Sequence, residues 1–160
     1  MTLPMAGDFA VVRTHGWQAA VIRWATRSKF NHAFIVWYGE EIIEAQPGGA
    51  RLVANHYAAK DVRYSCIENL KMGERIEICN QAKQLVGVPY GWLDILSIGL
   101  LQYGIKPKFI RDRVEHSNNL ICSQLVDFAY LLGGVHLYDD GRLPMDVTPG
   151  DLAHLIEGEQ

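Results

Sequence analysis

The apolar and polar positions fall into short β-branched runs between stretches of helical period. Phe9 to Arg13 (Phe-Ala-Val-Val-Arg), introduced by Gly7-Asp8, reads as a strand. Trp17 to Arg27 sets Ala20, Val21, Trp24 and Ala25 at helical spacing. Ala33 to Tyr38 is an apolar run long enough for a buried strand. Gly39 then turns the chain, and Glu41 to Ala45 returns as its partner before a Pro47-Gly48-Gly49 loop. Arg51–Ala54 and Arg63–Ile67 are weaker strands. Glu74 to Val86 is read as a helix with Ile76, Cys79, Ala82, Leu85 and Val86 on one stripe, stopped by Gly87 and Pro89. Tyr90 to Tyr103 is apolar and partly helical in pattern.

The segment from Cys122 to Leu132 repeats Cys122, Leu125, Val126, Ala129 and Leu132 in an amphipathic pattern, with Asn118 and Asn119 upstream as caps and Gly133-Gly134 as the stop. Thr148-Pro149-Gly150-Asp151 opens a terminal helix. Helices at both ends of a strand cluster predict an α+β fold rather than alternating α/β.

At 160 residues the chain has the length of one domain, expected to span 1–160 without a linker or repeat. Its 49% hydrophobic and 21% charged residues exclude a disordered chain. A formal charge of −3 argues against nucleic acid as a partner. The apolar stretch Leu93–Ile105 carries Asp94 and is shorter than the ~20 residues a membrane helix needs. The first residues lack the basic and apolar regions of a secretory signal, which predicts a cytoplasmic protein without an integral membrane segment. Three cysteines, Cys66, Cys79 and Cys122, make no metal-ligand spacing and no disulfide framework. No metal or organic cofactor is expected.

Cys122 is the leading candidate nucleophile. At a helix start, orphan N–H groups and the positive end of the dipole favour a thiolate. The same N–H groups can hold an oxyanion, worth ~2.7–4 kcal/mol per donor. The competing reading is a small buried hydrophobe on the apolar stripe, and Cys66 or Cys79 remains an alternative thiol. A thiolate needs an imidazole. His32 opens a strand, where a sheet can present it to a cleft. His15, His56, His116, His136 and His154 lie in loop-like or terminal stretches.

Glu44 is twelve residues beyond His32. With Trp37-Tyr38-Gly39 as the hairpin loop, positions 32 and 44 fall directly opposite on one face, so the carboxylate can fix the imidazole tautomer. The alternative is a solvated carboxylate beside Glu40 and Glu41. Tyr90, between Val88-Pro89 and Gly91-Trp92, offers a phenol for an oxyanion or a pocket, with core packing as its alternative.

In this order, Asn31-His32-Ala-Phe-Ile-Val-Trp-Tyr-Gly, then Glu44-Ala45, Gly87-Val-Pro-Tyr90-Gly-Trp and Ile121-Cys122-Ser123-Gln124, the chain resembles the circularly permuted, YiiX-like branch of the NlpC superfamily of papain-like cysteine peptidases and amidases. Gly7-Asp8 and Thr148-Pro149 extend the likeness across most of the chain. The resemblance implies a permuted papain-like fold, a small antiparallel sheet packed against helices. It implies Cys122 as nucleophile, His32 as base and acid, Glu44 as orienting residue and Tyr90 as a pocket or oxyanion contributor. Ser123 and Gln124 would line the substrate site. Gln124 stands where the branch commonly has Glu, which bears on substrate choice.

The expected function is hydrolysis of an amide, such as a peptidoglycan stem peptide, or an ester, through an acyl-enzyme. Its partner would be a peptide, cell-wall or acyl substrate. A cell-wall substrate without a leader suits a phage protein carried in the virion. The alternative is a non-catalytic binding or virion-assembly module on the same scaffold, with aromatic residues such as Trp17, Trp24, Trp37 and Trp92 at an interface.

Overall fold

The computed structural model describes residues 3–88 and 121–158. Five strands, β1 (Phe9–Val12), β2 (His32–Val36), β3 (Glu41–Gln46), β4 (Gly49–Ala54) and β5 (Val62–Tyr64), form one antiparallel sheet in the order β4-β3-β2-β1-β5. Among the described residues there are four α-helices: α1 (Trp17–Thr26), α2 (Met72–Gln84), α3 (Cys122–Leu132) and α4 (Pro149–Gly158). The fold is α+β, as the pattern predicts.

Alternation divides the core. Phe9, Val11, Ala33, Ile35, Ile43 and Ala45 look to one side and pack with Ile78 and Ala82 of α2, Leu125, Val126, Ala129 and Tyr130 of α3, and Leu152 and Ile156 of α4. Ala10, Val12, Phe34, Ile42 and Val62 look to the other, where Tyr57 and Tyr64 cover them. Burial on both faces explains why β1 and β2 read as unbroken apolar runs. Two buried polar links fix the layers: Arg75 of α2 reaches Asp8 at 2.8 Å, and the Tyr130 hydroxyl donates to the Gly7 carbonyl at 2.6 Å.

Three local expectations are corrected. The α2 stripe is rotated: Arg75, Ile78, Cys79 and Ala82 are buried, whereas Ile76 is 45% exposed. Asp8 draws the Arg75 guanidinium inward, and Ile76, one residue or about 100° around the helix, turns out. The N-cap of α3 falls on Ile121, without a side-chain cap; the asparagines expected there lie outside the described residues. At the other end of that helix, Leu132 is exposed rather than buried.

The third correction concerns the β2–β3 hairpin. Its turn holds two consecutive left-handed residues, Gly39 (φ 66°) and Glu40 (φ 64°). The Glu41 N–H donates to the Tyr38 carbonyl across that turn. The loop is therefore centred on Gly39, and Glu44 lies opposite Phe34, not His32. Moving the centre by one residue moves every pairing by two. His32 and Glu44 consequently keep the same face and become diagonal neighbours, still within side-chain reach.

Candidate active site

His32 is the first residue of β2. Asn31, just before it, braces the strand end: its Oδ1 accepts from the Thr14 N–H at 2.9 Å and its Nδ2 donates to Thr14 Oγ1 at 2.7 Å. The ring is 5% exposed, and its Nε2 lies 2.8 Å from Oε2 of Glu44, which is wholly buried. An ionised carboxylate only accepts, so the proton between them sits on Nε2. That leaves Nδ1 as the ring nitrogen for the other partner. Cys122, at the start of α3, lies close enough to act on the imidazole.

A buried carboxylate needs compensation, and Glu44 has it on both oxygens. Arg51 donates from Nε at 3.0 Å and from Nη2 at 2.7 Å to Oε1. The Tyr57 hydroxyl donates to Oε2 at 2.5 Å, and Gln46 Nε2 lies 3.3 Å from the same oxygen. Burial by itself pushes the Glu44 pKa up. Hydrogen bonds from His32, Tyr57 and Arg51, with the His32 charge, outweigh it and hold the carboxyl well below its ordinary range. Burial likewise favours a neutral His32. The charge and hydrogen bond of Cys122, joined by those of Glu44, prevail, and the imidazole is pushed up to about 9.

Cys122 is the first residue of α3 and is 1% exposed. Among the described residues, no side chain caps the first N–H groups of this helix. Burial pushes up the Cys79 thiol, and burial with the Asp8 charge pushes up that of Cys66.

Ser123 and Gln124, expected to face substrate, are buried and bonded to main chain. Ser123 Oγ donates to the Val147 carbonyl at 2.6 Å, and Gln124 Nε2 donates to the Met145 carbonyl at 3.0 Å. Gln124 Oε1 also accepts the Ile121 N–H at 3.2 Å. These bonds stitch the first turn of α3 to the segment around the 3-10 turn Pro144–Asp146. Tyr90, Trp92, Tyr103 and His116 lie outside the described residues. His15, His56, His136 and His154 are exposed.

Sequence reasoning missed Arg51, Tyr57 and Gln46. A signal for Arg51 was present. Pro47-Gly48 forms a two-residue turn with Gly48 at φ 109°, which aligns Gln46 with Gly49 and therefore Glu44 with Arg51. Tyr57 arrives from an irregular segment after β4, for which periodicity gives no register.

No protein-family model and no curated protein matches the chain. Among the described residues, no helix is long and apolar enough to cross a membrane, and no three or more His, Cys, Asp or Glu side chains group to hold a metal ion.

Proposed function

We propose that the protein is a cysteine hydrolase of the permuted papain-like kind, cleaving an amide, such as one in a peptidoglycan stem peptide, or an ester. The observation that carries this reading is the buried Glu44 carboxylate holding one nitrogen of the His32 imidazole at 2.8 Å, with Cys122 at the start of α3 near enough to raise that imidazole. A solvated strand carboxylate or a packed apolar cysteine has no need of that arrangement.

In the proposed reaction, the Cys122 thiolate attacks the carbonyl carbon and the C=O electron pair moves to oxygen. N–H groups at the start of α3 stabilise that oxyanion. The oxyanion collapses, the C–N or C–O bond breaks, and the His32 imidazolium gives its Nδ1 proton to the leaving group. The neutral imidazole then takes a proton from water, whose oxygen attacks the thioester. Release of the acid restores thiolate and imidazolium. Glu44 stays ionised throughout and fixes the ring.

The test has two parts. Iodoacetamide labelling of Cys122 is followed against pH, and peptidoglycan fragments, model peptides and acyl esters are incubated with the protein, Cys122→Ala serving as the blank. The hydrolase reading expects labelling well below the ~8.5 of an ordinary thiol, slowed by His32→Ala, and turnover of one substrate class. Labelling at the rate of a model thiol, indifferent to His32, would leave the binding or assembly module in its place.

A further inference from the structure

Tyr57 contacts both members of the His32–Glu44 pair. Its hydroxyl donates to Glu44 Oε2, the oxygen that also accepts His32 Nε2–H, and its ring lies 5.7 Å from the imidazole. The residue is held from several directions. Its ring stacks on Phe34 at 5.5 Å and 5°, and its N–H donates to Asn55 Oδ1 at 3.2 Å. Its hydroxyl accepts from Gln46 Nε2 at 3.0 Å, which leaves the phenolic proton for Glu44.

We propose that Tyr57 is a positioning residue that shares Glu44 Oε2 with His32 and so limits how firmly that oxygen holds the imidazolium. This rests on the reading of Cys122, His32 and Glu44 given above. A carboxylate oxygen that already accepts one short O–H bond has less charge to offer a second donor. Remove the phenol and the His32 N–H faces a more basic oxygen. The imidazolium becomes more stable and parts less readily with its Nδ1 proton, which slows protonation of the leaving group.

The charged and titratable neighbours are accounted for. His32 meets Cys122 from α3, Glu44 from β3 and Tyr57 from the segment after β4; Arg51 of β4 acts through Oε1 of Glu44. His56 is exposed, with its ring 4.3 Å from that of Tyr57.

The experiment is an NMR titration of the His32 imidazole in wild type, in Tyr57→Phe and in protein carrying a fluorinated tyrosine at position 57. The pH profile of Cys122 alkylation is followed in parallel. Tyr57→Phe keeps the stack on Phe34 and loses the donor, and the His32 midpoint should rise by at least about 0.5 pH unit, a roughly three-fold change in proton affinity. Fluorination makes the phenol a stronger donor and should move the midpoint down. The upper inflection of the alkylation profile should follow each shift.

A His32 midpoint that stays put in the folded variants overturns the inference, and if Tyr57→Phe does not fold, the fluorinated protein decides. Slow alkylation of Cys122 in wild type, with the midpoints still moving in opposite directions, removes the hydrolase reading and leaves Tyr57 as the tuner of the pair. Fast, His32-dependent alkylation with an immobile midpoint removes the Tyr57 role alone.

Discussion

Glu44 and Arg51 face each other directly across the β3–β4 ladder, with Nε and Nη2 of the guanidinium both on carboxylate Oε1. The carboxylate is completely buried, whereas the Arg51 side chain is 50% exposed. Arg51 thus connects a buried charge to the surface and keeps Oε1 from competing for the donors that belong to Oε2.

Arg51→Met should therefore destabilise the fold. It removes two charge-assisted hydrogen bonds, each worth about 1.5–3 kcal/mol where water cannot substitute. Water will reach this half-open site, so a total loss of about 1.5–3 kcal/mol is expected, read as a lower urea midpoint at unchanged slope. An unchanged midpoint would mean that Glu44 is stabilised by Tyr57 and His32 alone.

Stability should also fall on the alkaline side. The folded His32 pKa of about 9 lies above its ordinary 6.5, so this contribution is complete below about pH 6.5 and is lost as pH rises through 9. Glu44, depressed in the fold, contributes above its ordinary 4.5 and loses that contribution as pH falls further. Urea unfolding at a series of pH values should show a decline between about pH 6.5 and 9 in wild type that is absent in His32→Ala. In Cys122→Ala the NMR midpoint of His32 should fall below about 9, because the charge that raises it has gone.

The β2–β3 hairpin shows what could be read from the chain and what could not. Alternation put His32 and Glu44 on one face, and period two preserves that result through a shift of loop centre. The position of that centre was not legible, because Glu40 adopts a left-handed conformation that only turn-specific contacts reveal. The same division recurs on α2. Its helical period is evident, but the Asp8–Arg75 ion pair that sets its rotation joins residues 67 apart in sequence. The start of α3 at Cys122 was legible from its amphipathic repeat, whereas the Tyr57 contact depends on an irregular loop.

Gln124→Glu should weaken this fold. A carboxylate cannot donate to the Met145 carbonyl that Gln124 Nε2 now serves. The buried acceptor and the facing like-signed oxygens should cost about 1–3 kcal/mol, reduced by the favourable helix dipole at this third helical position. Thermal and urea unfolding measure it; a variant as stable as wild type would show that the Met145 segment readily finds another donor.

Gly133→Ala should strain the α2–α3 contact. A Cβ there would meet Ile78 Cγ1 at 2.8 Å, the Ala129 carbonyl oxygen at 3.0 Å and the Ile78 nitrogen at 3.1 Å. The backbone φ of −75° suits alanine, so the penalty is steric, about 1–3 kcal/mol. Relief by Ile78→Ala, which removes that Cγ1, in a double-mutant cycle would assign the strain to the side chain; additive losses would assign it to backbone.

His32 and Cys122 are separated by 90 residues of chain. Any pairing of the two is available only after α3 docks on a sheet whose strands precede it in the chain. While the N-terminal half is being synthesised, the imidazole exists without its sulfur, and a fragment beginning at α3 would carry the sulfur without the imidazole. On the proposed hydrolase reading, a fast-alkylating thiol is therefore a property of the tertiary structure and not of the nascent chain, and its appearance would mark the docking of α3.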